Sequence, residues 1–136
     1  MAKVLGIDYG AKRVGVAISD SLQIIASALT TIETKQFFLF LIELLQKEEI
    51  DIFVVGDPKN LDGTATDSTE MTEKFIEKLS IKYPNIPIKR IDERFTSKMA
   101  KQSILYAGTK KMKRRDKALV DKVSAAIILQ SHLDYK

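Results

Sequence analysis

The chain has no cysteine, no tryptophan and a single histidine, His132. Without thiols there is no disulfide framework, no thiolate metal site and no cysteine nucleophile, which fits a reducing cytoplasm. The lone His132 is given no role. Long apolar runs are missing too. The most apolar stretch, Phe37 to Leu45, is interrupted by Glu43 and falls far short of the ~20 residues of a membrane span. The opening MAKVLGIDYG lacks the charged-then-apolar plan of a signal peptide. A soluble, cytoplasmic protein with no membrane partner is therefore expected. Internal repeats, low-complexity tracts and linkers are also lacking, so residues 1–136 are expected to form one domain.

What is present is ordinary globular material, 45% apolar and 29% charged, with a formal net charge of +4. That charge is unevenly placed. Lys110, Lys111, Lys113, Arg114, Arg115 and Lys117 crowd one short stretch. Such a run is either a solvated loop or a contact for a phosphate backbone.

The apolar patterning predicts an α/β fold. Val4 to Ile7 is a short apolar strand that meets a turn signal at Asp8-Tyr9-Gly10. Val14, Val16 and Ile18 alternate with small residues at the strand period and stop at Ser19-Asp20-Ser21. Ile24 to Ile32 is β-branched and completes a three-strand meander. Lys35 to Glu48 is a helix whose apolar arc is wider than one sheet face needs, so it is either deeply buried or meets a partner. Ile52 to Val55 is a buried parallel strand. Asp67 and Glu70 resemble a capping pair ahead of Met71, Phe75 and Leu79. Ile86 to Ile91 is a fifth strand, Thr96 or Ser97 begins a helix closed by Gly108, and Ala118 to Leu133 is the last helix. This order indicates a mixed sheet with helices on its faces.

Three acids stand out. Asp8 follows one apolar strand, Asp92-Glu93 follows another, and Asp121 shares a helix face with Ser124, Ala125 and Ile128. Taken singly, Asp8 reads as a turn former, Glu93 as half of an ion pair with Arg94, and Asp121 as an exposed helix acid. Their convergence would read differently, because strand ends in α/β sheets are where ligands bind. Carboxylates brought together repel unless a cation neutralises them. With the available donors nearly all oxygen, Mg²⁺ or Mn²⁺ is the matching metal, and such cations serve phosphodiester hydrolysis without a histidine base. Other polar features suit a phosphate-bearing substrate. Gly6, Gly10 and Gly15 allow close backbone approach around Asp8, and Lys12 and Arg13 sit in the adjoining turn. Asn60 lies in the loop after the fourth strand, while Arg94 and Thr96 precede a helix N-terminus.

Four stretches, GIDYGAKRVGVAISD (6–20), VVGDPKNLDGT (54–64), DERFTS (92–97) and VDKVSAAIIL (120–129), resemble the YqgF family, also called RuvX. The resemblance spans essentially the whole chain, and the motifs in combination are specific where GIDxG alone would not be. It implies an RNase H-like fold: a mixed five-stranded sheet, a three-strand meander then two further strands, with helices on both faces. The family's acidic triad falls on Asp8, Glu93 and Asp121. Its members are bacterial proteins described as Holliday junction resolvases and as pre-16S rRNA nucleases. The resemblance thus implies a metal-dependent endonuclease acting on structured RNA, with the 5′ end of pre-16S rRNA as substrate and ribosomal particles as a further partner. A resolvase of branched DNA is the alternative and would need a dimer; the chain is otherwise expected to be a monomer or weak dimer. A non-catalytic nucleic-acid-binding factor is a third reading. An ATP-binding enzyme of the actin and sugar-kinase type would need two such domains and is set aside. One departure is Asp57, where an uncharged residue is expected before Pro58.

Overall fold

The structure is a computed structural model and describes residues 2–57, 67–92 and 117–135. Strand β1 (Lys3–Tyr9), β2 (Arg13–Ser19) and β3 (Ala26–Glu33) form the expected meander. A short 3₁₀ turn, Thr34–Gln36, leads into helix α1 (Phe37–Lys47). Then follow β4 (Ile50–Asp57), α2 (Asp67–Lys82), β5 (Ile88–Asp92) and α3 (Lys117–Tyr135). The sheet has five strands in the order β3-β2-β1-β4-β5. β1 is antiparallel to β2 and parallel to β4, and β4 is parallel to β5. The mixed sheet is the one the sequence predicts. The helix expected after Thr96 lies outside the described residues.

Strict alternation sorts the sheet into two faces. On one face Leu5, Ile7, Val14, Val16, Phe53 and Val55 are buried against Phe37 and Leu41 of α1 and Phe75 and Leu79 of α2. On the other, Val4, Ala17 and Val54 meet Ala125, Ile128, Leu129 and Leu133 of α3. Helices therefore cover both faces. The wide apolar arc of α1 is largely used within the chain. Phe38 and Phe40 pack on the same core as Phe37 and Leu41, and Phe38 also faces Phe75 of α2 at 5.9 Å between ring centroids. Leu39 and Ile42 remain exposed, at 65% and 48%.

Two strand boundaries differ from the sequence expectation for visible reasons. β1 runs on through its turn signal because Asp8 and Tyr9 stay in register with Gly15 and Val14. β3 starts only at Ala26 because Asp20 captures the preceding backbone: its Oδ1 accepts the N–H groups of Ile24 at 2.8 Å and Ile25 at 3.0 Å. Gln23, at φ 56°, makes the left-handed step that closes this turn.

Candidate active site

Three parallel strands bring their carboxyl ends to one end of the sheet. Ile7 of β1 pairs with Val55 of β4, and Asp57 of β4 pairs with Asp92 of β5. Asp8 thus lies at this end, half-buried. Its cross-strand partner is Gly15, which places no side chain beside it. Asp57, the departure from the family pattern, is the last residue of β4 at the same end. Glu93 is the first residue past β5 and lies outside the described residues.

The position of Asp121 follows from the packing of α3 on β1. A Cβ on Gly6 would come 2.7 Å from Leu129 Cβ and 2.9 Å from the Ala125 carbonyl oxygen. The glycine thus serves helix–strand contact. α3 runs opposite to β1, since further along it Gln130 reaches the far end of the sheet, accepting a hydrogen bond from the Ala26 N–H at 2.9 Å and donating to the Ile24 carbonyl at 3.0 Å. From the Gly6–Ala125 contact, Asp8 lies two residues on along β1, roughly 7 Å, and Asp121 lies one turn back along α3, roughly 6 Å. Both displacements point the same way. The first turns of α3 and Asp8 therefore share one end and one face of the sheet. His132 sits near the other end of α3.

The cations predicted near Asp8 are where the β1–β2 turn puts them. Lys12 is exposed and Arg13 half-buried. The turn is pinned by Thr34, whose N–H donates to the Lys12 carbonyl at 3.0 Å and whose Oγ1 donates to the Gly10 carbonyl at 2.6 Å. A Cβ on Gly10 would lie 2.6 Å from the Arg13 carbonyl oxygen, so the turn closes this tightly only on glycine. Lys12, Arg13, Glu33 and Lys35 border a shallow cavity of about 460 Å³ here.

A second cavity, of about 350 Å³, went unread in the sequence. Thr34 and Lys35 belong to both cavities. Tyr9, Phe38, Met71 and Phe75 give it an apolar lining. Tyr9, the residue after Asp8, stacks on Phe75 at 4.4 Å between centroids. Lys35, Lys74 and Lys78 also line it. The spacing of Met71 and Phe75 signals a helix face, but that this face meets Tyr9 is visible only once α2 is docked.

Asn60, Arg94, Thr96, Lys110, Lys111, Lys113, Arg114 and Arg115 lie outside the described residues, so their expected phosphate contacts stay expectations. Among the described residues no three acidic or histidine side chains form a ready metal cluster. None of their helices is long and apolar enough to cross a membrane.

A five-stranded mixed sheet with this strand order and helices on both faces defines the RNase H-like fold. The solved structure of RuvC from T. thermophilus in complex with a Holliday junction substrate has the same fold, with a TM-score of 0.61 at 13% identity over 99% of this chain and 98% of that one. The chain belongs to the RuvX family, described as Holliday junction resolvase, whose model matches residues 2–135. A relative from Christiangramia forsetii is 49% identical, covering 98% of both chains, and is named an inferred pre-16S rRNA nuclease. Another with the same name, from Flavobacterium psychrophilum, is 47% identical over 100% of this chain and 99% of its own length.

Proposed function

We propose that this chain is a divalent-metal-dependent endonuclease of structured nucleic acid, a single cytoplasmic domain over residues 1–136 that trims the 5′ end of pre-16S rRNA. The observation that supports the reading is the close approach of Gly6 to Ala125 and Leu129, from which Asp8 and the first turns of α3 share the end of the sheet at which β5 finishes. The donor set suits the metal: Asp8, Glu93 and Asp121 offer only carboxylate oxygens, in a chain with no cysteine. These three residues would hold Mg²⁺ or Mn²⁺, which supplies a water nucleophile at neutral pH and neutralises charge on the leaving oxygen. The chain's own part is positioning. Lys12 and Arg13, on a turn held by Thr34, meet phosphates beside Asp8, and the basic run from Lys110 to Arg115, with Asn60, Arg94 and Thr96, extends that contact. The names of the relatives favour pre-rRNA, in a ribosomal particle, as substrate for a monomer or weak dimer.

Branched DNA is the second reading, favoured by the family description and by the RuvC neighbour bound to a junction. The deciding assay incubates the protein with a labelled pre-16S leader RNA and a four-way DNA junction, in Mg²⁺ and in Mn²⁺. Cleavage of the RNA, lost by orders of magnitude in Asp8→Asn and Asp121→Asn, supports the proposal. Cleavage of the junction alone moves the substrate to DNA. Full activity in Asp121→Asn would end the metal-site assignment.

A further inference from the structure

The cavity of about 350 Å³ beside Tyr9 is not needed to hold a metal, and its lining is unusual for a surface depression. Among the described residues its lining combines aromatic and thioether side chains with three lysines and includes no acid. Met71 is 37% exposed rather than sealed into the core. Lys74 has an exposed ion-pair partner, Glu70 at 3.4 Å, and Lys35 has one in Glu33 at 3.6 Å. Pairs this exposed contribute little and yield readily to a phosphate. The neighbouring cavity continues the cationic lining through Lys35 to Lys12 and Arg13, with Glu33 the one acid among its described lining residues.

Apolar side chains beside cations match a nucleotide: a base packs against Met71 and the half-buried Tyr9 and Phe38, with buried Phe75 behind them, and its phosphates meet the ammonium groups. The volume falls in the range of small-ligand sites. A base paired within a duplex is stacked on both sides and cannot enter a concavity, so the occupant must be unpaired. Tyr9 directly follows Asp8 in β1, and the two residues face opposite sides of the sheet. A strand passing over this sheet end could thus engage both.

We infer that the cavity between the end of β1, α1 and α2 is a subsite for one unpaired nucleotide of a single-stranded tail adjoining the cleaved bond. This rests on the proposed nuclease reading for its position relative to the reaction, but it is tested by binding alone. A labelled RNA duplex, blunt or carrying a short single-stranded tail, is titrated with the wild-type chain in EDTA and followed by fluorescence anisotropy. The tailed duplex should bind roughly tenfold more tightly, the scale of one base–aromatic contact. The preference should vanish in Met71→Glu, which puts a carboxylate in the cavity. It should also shrink in Lys74→Glu/Lys78→Glu, a pair of changes at exposed residues that tests the site even if Met71→Glu folds poorly. With 2-aminopurine placed along the tail, quenching should appear at one position and be lost in the same variants. Equal affinity for blunt and tailed duplexes, or a tail preference that the lysine variant leaves intact, overturns the inference. A tail preference in a protein that cleaves nothing would sink the nuclease reading and leave the subsite standing; cleavage without it would do the reverse.

Discussion

At the scale of single residues, Gly6 and Asp20 carry the most specific expectations. A methyl group at Gly6 would have to occupy space 2.7 Å from Leu129 Cβ and 2.9 Å from a backbone oxygen. Neither neighbour is the free end of a flexible chain, so α3 must lift. Gly6→Ala should lose about 1–3 kcal/mol in denaturant unfolding, the usual range for overpacking. On the proposed reading its cleavage rate should fall more than stability explains, since α3 carries Asp121. Asp20 is at the opposite end of the sheet. The N–H groups of Ile25 and Ile24 hold its carboxyl below the ordinary value of 3.8. A depressed folded value stabilises the protein above the unfolded value, and that stabilisation is lost as pH falls through the folded one. Asn imitates the protonated acid. Thermal melts of wild type and Asp20→Asn should therefore differ at neutral pH and converge in acid. A constant gap would show that the charge is irrelevant to the turn.

At the scale of elements, α3 is the piece that the site depends on. It packs on β1, β2 and β3, and Gln130 fastens it to the sheet edge. That one amide accepts from the Ala26 N–H and donates both to the Ile24 carbonyl and to Asp134 Oδ1 at 2.9 Å. Gln130→Ala leaves the first residue of an edge strand without its partner. A loss of roughly 1 kcal/mol is expected, since the bond to Ala26 is partly buried and the other two are exposed. Hydrogen exchange at Ala26 should accelerate while amides in β4 keep their protection. Uniform acceleration across the sheet would mean that Gln130 supports global stability and not this junction.

At the scale of the whole molecule, the proposed metal site would couple charge to folding. Carboxylates gathered without metal repel each other and cost stability. In EDTA, Asp121→Asn should melt at or above the wild-type temperature, gaining up to about 1 kcal/mol. Excess Mg²⁺ or Mn²⁺ should raise the wild-type melting temperature more than that of the variant, because binding to the folded state alone is stabilising. A variant clearly less stable in EDTA would make Asp121 a structural residue. The basic run gives a separate test. Changing Lys111, Lys113 and Arg114 to Ala should weaken RNA binding regardless of sequence and flatten its salt dependence. Unchanged affinity and slope would return the run to solvated surface.

Local patterning was enough to determine the order of the described elements, because each strand and helix declares its period over a few residues. Val14, Val16 and Ile18 read as a strand from alternation alone, and Phe75 and Leu79 as a helix face from spacing alone. Asp8 and Asp121 stand out as candidates for a related reason, since charge against an apolar segment is visible without a third dimension. What only the tertiary structure decided is which segments meet. Nothing in GIDYG says that Gly6 is bare for Leu129, more than a hundred residues away. Nor does it say that Tyr9 stacks on Phe75, or that most of the apolar arc of α1 packs on the sheet and α2 while Leu39 and Ile42 stay exposed. Such contacts depend on how helices dock on the two faces, and docking is set by summed burial over the whole chain. Boundaries shifted for the same kind of reason: Asp20 bonds forward to Ile24 and Ile25 and delays β3, while Gly15 and Val14 keep Asp8 and Tyr9 in register past their own turn signal. The sequence determined the parts and the chemistry they carry; packing decided that Asp8, the start of α3 and the cavity beside Tyr9 share one end of the sheet.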